Sequence, residues 1–322
     1  MNRDLNLANV TDTIRKLKEL NLQKASMDEI RDLLFLIKDH IGTRRSYKED
    51  TVICRTLLKK DDEIPYTNVE RISYKKDTVG MGFGRASYEG NTAFYGCLNT
   101  SILKCDITSA FEVLSHSIDK KLERYHIVSG KWILQRDIDL FFIGGGTNLL
   151  YLCDEGLERN NLLLDFILKD HSNVLALKII DSFICEEFSK VVDKDKPWEY
   201  KISACYSEIL KEQGEAGLVY PSVKANGGGL NIVLFPAAVE DGLIKCTMAF
   251  SGTHYARDKN YINEYNMTGK NDNGIIRWSE KHRTHIPKKA KDFYVGLSDD
   301  KGFLDTVEYL DLGIARTIIP NK

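Results

Sequence analysis

The sequence predicts an α+β fold, a mixed β core with flanking helices and an N-terminal helical extension. Three observations carry that expectation. The first 50 residues read as helical, a run of short β-like segments begins near residue 51, and strands and helices follow one another without regular βαβ alternation. Over residues 9–41, Ser26-Met-Asp-Glu29 fits a capping box, in which the serine oxygen and the glutamate carboxylate satisfy free backbone donors. Ile30, Leu33, Leu34, Ile37 and Ile41 then recur at helical spacing.

Strands are expected at Val52–Leu58, Asn68–Tyr74, Thr92–Cys97 and Leu140–Ile143. A helix over Thr108–Leu122 would put Ile107, Ala110, Phe111, Leu114 and Ile118 on one face. Two further helices cover Asn173–Val192 and Tyr200–Gln213, with Pro197 and Trp198 in the break between them. Strands at Gly217–Tyr220, Leu230–Phe235 and Leu243–Phe250 follow. After Phe250 the chain is polar and rich in turn residues, and reads as an irregular extension. The expected organisation is 1–50 helical extension, 51–245 catalytic domain and 246–322 C-terminal extension packed on the core.

The 322 residues are 43% hydrophobic and 29% charged, with a formal net charge of −2. A near-neutral balance argues against non-specific nucleic-acid binding, which needs clustered cationic charge. No apolar run approaches the roughly 20 residues that span a bilayer, and the N-terminus lacks the basic-then-apolar pattern of a secretory signal. Seven scattered cysteines without a Cys-x-x-Cys pair read as reduced, buried thiols. The expectation is a cytoplasmic protein.

Several residues invite chemistry, each against a plainer reading. Arg55 falls between Ile53 and Leu57 on one face of its strand, so near a core its fixed charge needs an anionic partner. A snorkelling or salt-bridged arginine fits the same spacing. In Gly82-Phe-Gly-Arg-Ala-Ser-Tyr-Glu-Gly90 the glycines permit a sharp turn, and Arg85 could clamp a phosphate. A plain hairpin loop fits equally well. Glu112 lies off the apolar stripe of its helix, as a solvated surface carboxylate would. Ser222 follows Tyr220-Pro221 at a rigid strand end, with no Gly-x-Ser-x-Gly elbow to make it an acyl-transfer nucleophile. Gly144-Gly-Gly-Thr-Asn148 lacks the ending of a Walker loop. His282 and His285 have no carboxylate or cysteine at metal-ligand spacing, so no metal is expected. The basic run Lys281–Lys291 reads as a solvated surface.

The order of these signals is more specific than any one of them. Cys54-Arg55 comes first, then Gly84-Arg85-Ala86-Ser87, Ala93-Phe94-Tyr95 and Ala110-Phe111-Glu112. Tyr200-Lys-Ile-Ser-Ala204, Gly217-Leu-Val-Tyr-Pro-Ser222 and Leu230-Asn231-Ile-Val-Leu-Phe235 follow. Over about residues 50–240 this resembles the RES domain, the family named for its Arg, Glu and Ser.

That resemblance implies a fold like that of ADP-ribosyltransferase toxins. It also implies NAD⁺ as a substrate rather than a cofactor, with no cofactor required. Many RES proteins are toxins of toxin–antitoxin pairs that deplete NAD⁺ by hydrolysis or phosphorolysis, and some ADP-ribosylate a protein. By position, Arg55 and Arg85 match the arginines of the NAD⁺ pocket, Tyr95 its tyrosine, Glu112 the family glutamate and Ser222 the family serine. Asn231 matches a recurring asparagine.

The implied catalytic set is Glu112, Arg85 and Ser222, and the implied NAD⁺-binding set is Arg55, Arg85, Tyr95, Ser222 and Asn231. Implied partners are NAD⁺, phosphate or a protein acceptor, and an antitoxin or immunity protein. The alternatives are a protein ADP-ribosyltransferase using the same pocket and a non-catalytic NAD⁺-binding scaffold. The chain departs from the compact toxins in its extensions and in the interval from Tyr95 to Glu112.

Overall fold

The computed structural model describes residues 6–37, 44–59, 66–101, 103–114, 124–144, 174–225, 227–257, 260–279, 295–297 and 304–307. The His282/His285 pair, the basic run and the 145–148 part of the glycine-rich turn lie outside them. So do residues 115–122 of the expected helix.

Two helices open the chain, α1 (Leu7–Glu19) and α2 (Met27–Phe35). Asn6 caps α1, its Oδ1 accepting the Ala8 N–H at 2.8 Å, and Ser26 caps α2 by accepting the Glu29 N–H at 3.1 Å. Val10, Ile14 and Leu17 bury one stripe of α1, and Ile30 and Leu34 one stripe of α2.

Next come the strands β1 (Arg44–Tyr47) and β2 (Val52–Lys59), then β3 (Phe94–Leu98) and helix α3 (Cys105–Leu114). They are followed by β4 (Arg124–Leu134), β5 (Ile138–Phe142), α4 (Val174–Ser189) and α5 (Lys201–Glu212). After these stand β6 (Gly217–Pro221), β7 (Leu230–Leu234), the short α6 (Pro236–Glu240), β8 (Ile244–Arg257), β9 (Asn260–Asp272) and β10 (Ile275–Trp278). A separate two-stranded sheet pairs β11 (Val295–Leu297) with β12 (Leu304–Val307).

The main sheet has ten strands in the order β1-β5-β6-β7-β3-β2-β4-β8-β9-β10. Every described neighbour pair is antiparallel except β5 with β6. The protein is thus α+β.

Three expectations are corrected. Asn68–Tyr74 is no strand: Val69–Ile72 forms a 3₁₀ turn capped by the Asn68 side chain, which accepts the Glu70 N–H. The described residues from Phe250 to Trp278 are not irregular, since β8 runs on to Arg257 and β9 and β10 extend the same sheet. The helix before Glu112 begins at Cys105 rather than Thr108.

Strand alternation sorts the sheet into two faces. One buries Phe141, Leu218, Tyr220 and Val233 against α1, α2, α4 and α5 in a single cluster. The other buries Phe94, Leu98, Val219, Ile232, Leu234, Trp132 and Ile276. Phe94 and Trp132 sit on strands separated by β2, yet their ring centroids are 5.1 Å apart, edge to face. The sheet therefore curls around this second core.

Candidate active site

The sheet splits in its middle. β2 and β3 pair only at Ile53–Leu98 and Cys54–Cys97. β2 then stays with β4 as far as Lys59–His126, while β3 stays with β7 as far as Phe94–Leu234. The approach is close at the last paired step. A Cβ on Gly96 would lie 2.5 Å from Ile53 Cγ2 and 3.2 Å from the Cys54 carbonyl oxygen, so only glycine fits there.

Arg55 is the first residue of β2 past the two paired positions. Its Nη1 donates to the Tyr95 carbonyl at 2.6 Å, and its Cζ lies 5.5 Å from the Phe94 ring centroid. Its buried Nε has no hydrogen-bond partner. No carboxylate among the described residues pairs with it. Burial accordingly pushes the guanidinium pKa down to about 10, because the charged form has lost water without gaining a counter-ion.

A cavity of about 100 Å³ occupies the split. Its walls are Arg55 and Thr56 of β2, Tyr95 and Cys97 of β3, Ser109 and Glu112 of α3, with Tyr220 and Asn231 behind them. The volume is below the roughly 300–1,000 Å³ that encloses a whole drug-sized ligand. It admits one small group of a larger molecule.

Glu112 reaches this cavity because α3 lies tight against the β6–β7 connection. A Cβ on Gly229 would stand 2.4 Å from Thr108 Oγ1 and 2.5 Å from Thr108 Cγ2. One carboxylate oxygen, Oε1, accepts from Ser222 Oγ at 2.6 Å and from Asn231 Nδ2 at 2.8 Å. Oε2 has no hydrogen-bond partner among the described residues. Ser222 is fully buried and is itself fixed, its Oγ accepting the Ala225 N–H at 3.0 Å and its N–H donating to the Gly229 carbonyl at 2.9 Å. Asn231 is fixed from its other end by Cys97, whose Sγ–H donates to Oδ1 at 3.2 Å. That bond turns the amide NH₂ toward Glu112.

Tyr95 lines the cavity with its ring, but its hydroxyl is engaged elsewhere. It accepts the Ala86 N–H at 2.8 Å and donates to Ser87 Oγ at 2.9 Å. Burial raises its pKa, so the phenol stays protonated and holds the 84–87 turn. Arg85 leaves that turn on the far side. Its Nη2 donates to the Lys190 carbonyl at 2.6 Å and its Cζ lies 5.1 Å from the Tyr200 ring centroid, while its Nη1 is buried without a partner. Arg85 is not among the residues lining the cavity. The structure thus gathers Arg55, Tyr95, Glu112 and Asn231 around one hollow, with Ser222 bonded behind Glu112 and Arg85 beyond Tyr95.

Six lining residues were given no site role by the sequence reading: Thr56, Gly96, Cys97, Ser109, Val113 and Tyr220. Ser109 stands three residues before Glu112, hence on the same helix face. Thr56 Oγ1 shares hydrogen bonds with Ser109 Oγ at 2.7 Å and with Ser129 Oγ at 2.8 Å, a buried chain of three hydroxyls at the cavity floor. Only the spacing of Ser109 from Glu112 was readable in advance.

Chemically, the arrangement offers an uncompensated cation, a carboxylate with one oxygen anchored and one uncommitted, and hydroxyls beside them. Among the described residues no cluster of three or more His, Cys, Asp or Glu could hold a metal ion, and no helix is long and apolar enough to cross a membrane. No protein-family model matches the chain, and no curated protein matches it either.

Proposed function

We propose that the chain is an NAD⁺-degrading enzyme that cleaves the nicotinamide–ribose bond, on a RES-type, ADP-ribosyltransferase-like scaffold. The observation that carries this reading is the shared cavity of Arg55 and Glu112, a buried guanidinium without a counter-ion and a carboxylate with one oxygen fixed. Scission of a glycosidic bond builds positive charge on the ribose. A carboxylate whose Oε1 is locked by two donors can aim Oε2 at a ribose hydroxyl and stabilise that charge without reorganising. Arg55, lacking an anionic partner, supplies a site for a diphosphate oxygen, and Arg85 Nη1 a second one further out. The small cavity volume admits the part of the dinucleotide between Glu112 and Arg55, with the remainder lying outside it.

The test is product analysis of purified protein incubated with NAD⁺ in buffer, in phosphate, and with cell lysate. Release of free nicotinamide is expected in buffer. ADP-ribose, its phosphate ester or a labelled protein band then identifies water, phosphate or a side chain as acceptor. Folded protein that releases no nicotinamide under any of the three conditions overturns the proposal.

A further inference from the structure

We propose that Cys54 and Cys105 are an oxidation site that closes to a disulfide, stapling β2 to α3 at the foot of the cavity. Both residues are buried free thiols, 7% and 3% exposed, and their sulfurs lie 2.7 Å apart. A disulfide bond is about 2.05 Å long, so closure needs a movement of roughly 0.7 Å. A third thiol, Cys97, belongs to the same cluster and stands opposite Cys54 in the strand register. Its Sγ–H is already donated to Asn231, and Cys105 is the sulfur in contact with Cys54. The pairing is therefore Cys54–Cys105, with Cys97 left as a thiol.

The proposed route for a small oxidant is the adjoining cavity. Thr56, Cys97 and Ser109 line the cavity, and they are the strand and helix neighbours of the two sulfurs. With hydrogen peroxide the steps balance as follows. The Cys105 thiol attacks the O–O bond, becoming a sulfenic acid with release of one water. Cys54 then attacks that sulfur, and its proton leaves with the hydroxyl as a second water while the S–S bond forms. The two sulfurs together lose two electrons to the peroxide.

The bond would join residues 51 apart in sequence, so it constrains the unfolded chain far more than the folded one. Cys105 and Glu112 lie two turns apart on one helix face, and Cys54 directly precedes Arg55. The staple thus ties the helix bearing the carboxylate to the strand bearing the guanidinium. Since the sulfurs hardly move, it fixes the site rather than distorting it.

The experiment uses the full chain, treated with hydrogen peroxide, denatured, alkylated with iodoacetamide, digested and mapped by mass spectrometry. The expected result is a cross-linked pair of peptides containing Cys54 and Cys105, two hydrogens lighter than the reduced pair. It is accompanied by a rise of several degrees in melting temperature that dithiothreitol reverses. Cys105→Ser should lose both the cross-link and the oxidation-dependent rise. Should that variant not fold, the peptide map of the unaltered chain decides alone. Alkylation of both cysteines after oxidation, sulfinic acid at either one without a cross-link, or a bond mapped to Cys54–Cys97 would overturn the proposal. None of these readouts depends on NAD⁺ cleavage, so the two proposals fail separately.

Discussion

Asn231 donates from Nδ2 to Glu112 Oε1 at 2.8 Å, the same oxygen that Ser222 Oγ reaches at 2.6 Å, so two donors from the β6–β7 hairpin lock one side of a helix-borne carboxylate. Glu112→Gln keeps an acceptor for both donors and removes the charge. Loss of one preorganised charge contact typically costs about 10²–10³ in rate. We expect nicotinamide release to fall by at least about a hundredfold, with the melting temperature near that of the unaltered protein. Near-normal turnover by the folded variant would remove Glu112 from the chemistry.

Arg55 gives a prediction about binding rather than rate. Its buried Nε lacks a partner and its charge lacks a carboxylate, so an anionic ligand that reaches it relieves a standing cost. ADP-ribose, the product-like half of NAD⁺, should raise the melting temperature of the unaltered protein. A ligand at a hundredfold over its Kd adds about 2.7 kcal/mol. Arg55→Met should abolish the shift while leaving a folded protein, as followed by differential scanning fluorimetry. An equal shift in the variant would mean that the guanidinium does not touch the ligand.

How much of this was readable beforehand follows from what kind of interaction fixes each part. The helices α1 and α2 announced themselves because each buries one stripe, leaving helical periodicity in the sequence. β4 went unnoticed: it lies inside the sheet between β2 and β8, and it buries Ile127 and Val128 in succession, so no polar–apolar alternation survives. The part of β8 beyond Phe250, with β9 and β10, was hidden by polar, turn-rich composition, although backbone pairing builds all three into the sheet. At the site, Arg55, Glu112, Ser222 and Asn231 stood out by residue type and order. The Cys97 contact to Asn231 and the Thr56–Ser109–Ser129 hydroxyl chain did not, because they depend on strand register and on where α3 docks. Tyr95 lines the cavity, and its hydroxyl holds the 84–87 turn, which no local pattern encodes.

Glu187 makes a prediction about pH. Its side chain is 2% exposed and pairs with Lys190 Nζ at 2.6 Å, and the Lys190 carbonyl in turn accepts from Arg85. Burial raises the carboxyl pKa above its ordinary 4.5 despite the lysine. A carboxyl with a raised folded-state pKa contributes stability below its unfolded value and loses it as pH rises through the folded value. At neutral pH the ionised group is therefore a net burden. Glu187→Gln should melt at the same temperature as the unaltered protein or higher at neutral pH, with the difference closing in acid. A lower melting temperature for the variant at neutral pH would show that the attraction of Lys190 outweighs the loss of hydration.

Gly229 tests whether the seat of α3 controls the site. A methyl at this position would meet Thr108 Oγ1 at 2.4 Å, Thr108 Cγ2 at 2.5 Å and Thr108 Cβ at 3.0 Å, all within the side chain of one helical residue. That side chain is fully buried and its Oγ1 bonds the Lys104 carbonyl at 3.2 Å, so it cannot swing aside freely. The clash is relieved instead by moving the helix, and Glu112 lies one turn further along it, with hydrogen bonds that tolerate little displacement. Overpacking of this kind costs about 1–3 kcal/mol. Gly229→Ala should accordingly lower stability by that order and depress nicotinamide release beyond what the lost stability explains. Thr108→Ala removes the two nearest atoms, so the double variant should recover part of both losses, with a coupling of about 0.5–3 kcal/mol in a thermodynamic cycle. If the two substitutions are simply additive in stability and rate, the Gly229–Thr108 contact does not set the position of Glu112.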